Sequence, residues 1–148
     1  MAFKLTQEEA NKLIESLKKY VEQNKLTFPE AKKELIFFVF ADKTNDKFKI
    51  SIQRKGINRD SCSYVGVKKP DNIALMRLDI GNTHRHKNPS NDEVLVGSHL
   101  HIYTEEYYDK EAIPFDVNNK NLYQLCYDFF ERFNIVEYPN IIYEPDLF

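Results

Sequence analysis

"ELIFFVFADKTNDKFKISIQ" runs from Glu34 to Gln53. Its first part, "ELIFFVFAD", is a short apolar run rich in aromatic and β-branched residues. That composition reads as a buried strand. "KTND" supplies turn residues. "KFKISIQ" then alternates, with Phe48, Ile50 and Ile52 on one face and Lys47, Lys49, Ser51 and Gln53 on the other. Strict alternation marks a strand with one apolar and one wetted face. The two strands and their turn form an antiparallel hairpin, and this hairpin sets the fold class.

Working outward, "SCSYVGV" (Ser61 to Val67) predicts a third strand and "NIALMRLDIGN" (Asn72 to Asn82) a fourth, with "KKPD" as the turn between them. "NPSND" is a loop. "EVLVGSHLHIYTEEY" follows as one long strand, or as two broken near Gly97. On the N-terminal side, Thr6 and Glu9 have capping-box spacing. Ala10, Leu13, Ile14, Leu17 and Val21 then recur at helical spacing, which predicts a helix over residues 7–24. Toward the C-terminus, Leu122, Leu125, Cys126, Phe129, Phe130 and Phe133 fall on one stripe, predicting a helix over 119–133. The tail "VEYPNIIYEPDLF" is apolar but broken by Pro139 and Pro145. It is expected to lie along a sheet edge or to wrap another protein. The sequence therefore predicts a single α+β domain over residues 1–148. Its expected architecture is an antiparallel sheet of about five strands, with an N-terminal and a C-terminal helix packed on one face.

The 148 residues suit one domain, and 42% hydrophobic content is enough for a core. A formal net charge of −2 argues against a broadly basic nucleic-acid binder, though not against a local basic patch. No apolar run approaches membrane-spanning length, so no membrane partner is expected. "MAFKLTQEEANKL" lacks the apolar core of a signal peptide. Cys62 and Cys126 form no close-spaced motif. They are expected as reduced, buried thiols of a cytoplasmic protein, with one disulfide as the alternative.

All four histidines fall between His84 and His101, as the pairs His84/His86 and His99/His101. Side chains two apart on a strand share a face. On the fourth strand Met76, Leu78 and Ile80 point toward the core, and Arg77 and Asp79 point away. On the histidine strand Leu100 and Ile102 point inward, while His99, His101, Tyr103 and Glu105 share the opposite face. If these strands are antiparallel neighbours, Arg77 and Asp79 join His99 and His101 on one polar surface. The connecting segment, carrying His84 and His86, would cap one end of it. A register slip of one residue would undo the arrangement.

Three readings of this surface stay open. In the first, His99 and His101 are an acid–base pair, Arg77 clamps a phosphate, Asp79 orients an imidazole and Tyr103 donates a further hydrogen bond. These groups suit cleavage of a phosphodiester, RNA or a nucleotide being the expected substrate. In the second, His99 and His101 with His86 hold a divalent metal such as zinc, with His84, Asp79 or Glu105 as other possible third ligands. In the third, the histidines make ordinary hydrogen bonds on a wetted sheet face. The Phe129, Phe130 and Phe133 stripe reads as core. "QRKGINR" (Gln53 to Arg59), with Lys68 and Lys69 nearby, reads as a solvated basic turn able to touch phosphates. "TEEYYDKE" reads as a possible protein contact. With four glycines, none in a phosphate-loop pattern, no nucleotide loop is present.

"MRLDIGNTHRHKNP" and "GSHLHIYTEEYYDKEAIPF" resemble small uncharacterised proteins of low-GC bacteria and their prophages. These share an Arg-x-Asp strand, a histidine loop ending in Asn-Pro and a His-x-His-x-Tyr strand. The resemblance covers Arg77 to Phe115 and brings no assigned activity. It implies that Arg77, Asp79, His86, His99, His101 and Tyr103 are the positions to test. It also implies a phage–host conflict or toxin–antitoxin setting. A non-enzymatic interaction or inhibitor protein with a host or phage partner is the alternative expectation.

Overall fold

The computed structural model describes residues 4–54 and 61–143. Helix α1 covers Gln7–Glu15. The strands β1 Lys18–Lys19, β2 Lys25–Thr27, β3 Glu34–Ala41, β4 Lys47–Gln53, β5 Cys62–Lys68 and β6 Ile73–Ile80 follow. Next come β7 Arg85–Lys87, β8 Val94–Val96, β9 His99–Ile102 and β10 Ala112–Pro114. Helix α2 Leu122–Arg132, β11 Ile135–Glu137 and β12 Asn140–Ile142 complete the chain.

The main sheet corrects the expected one. Among the described residues it has eight strands, in the order β10-β9-β6-β5-β4-β3-β1-β11, and it is mixed because β1 and β11 run parallel. The β3–β4–β5–β6–β9 centre is antiparallel throughout. The added strands at the margins are two or three residues long, too short to show alternation. Two small ribbons, β2–β12 and β7–β8, lie outside the main sheet.

One sheet face is apolar. Phe37, Val39, Phe48, Ile50, Ile52, Tyr64, Leu78 and Leu100 are buried there. Their register partners across the strands keep the same face, as in Val39↔Phe48, Ile52↔Tyr64 and Leu78↔Leu100. Helix α2 supplies Leu125, Cys126, Phe129 and Phe130 to this core, and α1 supplies Ala10. Tyr64 stacks on Phe129 and donates its hydroxyl to the Leu122 carbonyl at 2.5 Å. Gly66 lets α2 come close, because a Cβ at this position would meet the Phe133 ring at 2.7 Å.

Helix α1 is shorter than its apolar spacing predicts. The capping box at Thr6 and Glu9 is formed. After Glu15 the chain turns extended, and β1 pairs with β3 and β11. Lys18 explains the stop. Its buried ammonium donates to the carbonyls of Ile14, Ser16 and Phe133 at 2.8–2.9 Å. It thus closes the ends of both helices at once. Leu17 and Val21, expected on the buried stripe, are 51% and 61% exposed.

Among the described residues no helix is long and apolar enough to cross a membrane. Cys62 and Cys126 are free and buried, and burial pushes the Cys62 thiol up to about 12. Residues 55–60, most of the expected basic turn, lie outside the described residues, as does the tail after Tyr143.

Candidate metal centre

The polar face is assembled by the pairing of β6 with β9. Asp79 sits opposite His99, and Arg77 opposite His101. On the other side β5 sets Ser63 beside Asp79. Gly97 divides the histidine segment: with φ at 100° it ends β8 and redirects the chain into β9.

Asp79 is the hub. Its Oδ2 lies 3.2 Å from His99 Nε2, 3.3 Å from His101 Nε2 and 3.1 Å from Arg77 Nε. Its Oδ1 accepts from Ser63 Oγ at 2.7 Å. Burial opposes its ionisation, but the hydrogen bonds from His101, His99 and Ser63, with the Arg77 charge, outweigh it. They hold its carboxyl well below the usual carboxylate range. Arg77 also faces Asp109 at 3.5 Å and His101 Nε2 at 3.1 Å.

The β7–β8 ribbon brings the third imidazole. Asn88 fastens this ribbon to β10 through a reciprocal pair, donating to the Ala112 carbonyl at 2.8 Å and accepting from its amide at 2.9 Å. His86 consequently lies over the strand histidines. Its ring centroid is 5.3 Å from that of His99 and 4.7 Å from that of His101. One ring nitrogen from each of His86, His99 and His101 can be chosen so that all three lie within 4.8 Å of one another.

The remaining ring nitrogens are informative. His86 Nε2 donates to the Lys110 carbonyl at 2.6 Å, which leaves Nδ1 with a lone pair. Burial pulls the His86 pKa down, against the pull of that carbonyl. His99 Nδ1 faces the Gly97 carbonyl at 2.9 Å while Nε2 faces Asp79, so both nitrogens point at acceptors. A neutral imidazole carries one N–H. The second acceptor therefore requires a second proton, or a metal ion in its place. The Asp79 hydrogen bond, more than burial opposes, raises the His99 pKa. His101 Nδ1 is buried without a partner. His99 and His101 are 3% and 1% exposed.

The other expected site residues separate from this cluster. The Tyr103 hydroxyl accepts from the Leu5 amide and donates to the Leu5 carbonyl, each at 3.0 Å. Glu105 accepts from the Gln7 amide at 2.8 Å. Both tie down the entry to α1. His84 lies 6.3 Å from His99, centroid to centroid, and lines an open groove of about 480 Å³ with Gln53, Ser63, Val65, Arg77 and Asp79. Gly81 makes room for it, since a Cβ there would meet the His84 ring at 2.8 Å. The sequence reading missed Ser63, although alternation along β5 puts it on the polar face. It also missed Asp109, which lies in a loop with no periodic signal.

A family model matches residues 5–135. The chain belongs to the family of unknown function DUF6978. The DUF6978 match takes in both helices and the whole polar face, well beyond Arg77 to Phe115. No curated protein and no solved structure matches the chain.

Proposed function

We propose that this DUF6978 protein is a metal-dependent hydrolase directed at phosphodiesters, with His86, His99 and His101 as its metal ligands. The observation that carries the reading is the convergence of those three imidazoles. The second nitrogens of His99 and His86 add support, because metal-bound histidines commonly donate the other N–H to a carbonyl. Gly97 and Lys110 offer such carbonyls to His99 and His86. Three imidazoles with a carboxylate beside them suit zinc and related ions. A tetrahedral zinc site wants its nitrogens roughly 3.3–3.4 Å apart, so small side-chain rotations would complete it. The bound ion would supply Lewis acidity and lower the pKa of a coordinated water.

Burial favours this reading over metal-free acid–base catalysis. An acid–base imidazole must touch its substrate, and His99 and His101 are nearly sealed. Buried polar groups of this kind are paired or hold metals. Arg77 is a third exposed and borders the groove, so its guanidinium can meet a phosphate oxygen there. The buried thiols suit a reducing compartment, and we assign the activity to the cytoplasm. The resemblance to prophage proteins makes phage–host conflict the setting to examine.

The test is metal content and turnover of a model diester such as bis(p-nitrophenyl) phosphate. The native protein should retain a stoichiometric transition metal through dialysis and lose turnover with a chelator. His86→Ala, on the partly exposed ligand, should lose both while keeping its circular dichroism. A folded His86→Ala variant that binds zinc as tightly as the native chain would overturn the reading.

A further inference from the structure

Arg77 is held by two carboxylates, and the second has no place yet in the proposed chemistry. The Arg77 Nε lies 3.1 Å from Asp79 Oδ2, Nη1 lies 3.5 Å from Asp109 Oδ2, and Nη2 faces His101 Nε2 at 3.1 Å. Asp79 also serves His99, His101 and Ser63. Asp109 faces the arginine from the loop between β9 and β10, which is tied to itself. Thr104 and Tyr108 exchange backbone hydrogen bonds at 2.8 and 2.7 Å. The Tyr107 amide donates to Thr104 Oγ1 at 2.9 Å, and the Lys110 amide to the Tyr107 carbonyl at 3.0 Å. Lys110 then offers its own carbonyl to His86 Nε2. Consecutive residues of one braced loop therefore address the arginine and a proposed metal ligand.

Charge sets what such a centre can accept. One guanidinium stands against two carboxylates, and imidazoles that hold a metal are neutral. The side chains of Arg77, Asp79 and Asp109 are 33%, 13% and 31% exposed, so water screens these charges only in part. Without a metal this trio carries one excess negative charge and repels anions. A divalent ion turns the excess positive by one. A phosphodiester carries a single negative charge and brings the balance to zero. A phosphomonoester carries about two near neutral pH and overshoots it. We infer that Asp109 is a specificity residue: it offsets Arg77 and restricts the centre to monoanionic phosphoesters. The inference rests on the metal-dependent phosphodiester reading and adds the side chain that turns dianionic monoesters away.

The test compares the zinc-loaded native chain with Asp109→Asn, which keeps the size of the side chain and removes its charge. Two matched anions with no bond to hydrolyse serve as probes at mildly alkaline pH: phenylphosphonate, a dianion, and methylphenylphosphinate, a monoanion. Calorimetry gives both affinities, and turnover of bis(p-nitrophenyl) phosphate is followed in parallel. Zinc content and melting temperature should be the same in the two proteins. Asp109→Asn should shift the affinity ratio toward the phosphonate about tenfold, the scale of one charge acting from a few ångströms away through partly wetted protein. An unchanged ratio, or equal weakening of both anions, would overturn the inference, because Asp109 would then only steady Arg77. Turnover of the diester in that case would leave the hydrolytic reading standing. Charge discrimination that depends on Asp109, without turnover, would support the inference and sink hydrolysis. A native chain that takes up no zinc would sink both.

Discussion

Lys18 and Asn88 show how single side chains set the frame around the centre. Lys18 carries a buried ammonium whose burial pulls its pKa from 10.5 down to about 7. The unfolded chain then binds more protons than the folded one between pH 7 and 10.5. Stability should rise with pH across that window, the burial cost being fully present below pH 7 and relieved above 10.5. In Lys18→Met this rise should disappear, and three carbonyls should lose their donor at a cost of about 1–3 kcal/mol. Urea unfolding of both proteins from pH 6 to 10 measures the slope and the offset together. Asn88 holds the ribbon that carries His86. Asn88→Ala strands a buried amide and carbonyl of Ala112, and should cost about 1–3 kcal/mol while weakening zinc affinity. Thermal melts with and without zinc separate the two effects.

Elements whose pattern repeats were legible in the sequence, and elements defined by distant partners were not. The β3–β4 hairpin alternates over enough residues to state its own faces. The same logic put Arg77, Asp79, His99 and His101 on one surface. The sequence left one strand or two open at Gly97, and the structure breaks there, at a φ that glycine takes easily. The end of α1 was not, since no glycine or proline marks it. It is set by Lys18 reaching the Phe133 carbonyl, 115 positions away. The margins β1, β10 and β11 are too short for any period, and so the sheet grew from about five strands to eight. Tyr103 shares the spacing of the histidines, but its strand ends at Ile102 and its hydroxyl turns to Leu5. Two substitutions check this account. Val21→Lys should change stability by less than about 0.5 kcal/mol, because the residue is not on a buried helix face. Gly66→Ala should cost about 1–3 kcal/mol by pressing on Phe133, where α2 meets β5. Denaturant titration of each variant reads both values.

For the whole molecule, the sheet acts as a divider. One face is spent on the core beneath α2. The other gathers a carboxylate, a guanidinium and three imidazoles around Asp79. The Asp79 hub is expensive to bury unless its partners stay in place. The most direct test is to load the purified chain with zinc and follow binding calorimetrically beside His86→Ala and His101→Ala. One zinc per chain, with a clear rise in melting temperature that either substitution removes, is the predicted result. A native chain that takes up no transition metal, and whose melting temperature zinc leaves unmoved, would contradict the account at its centre.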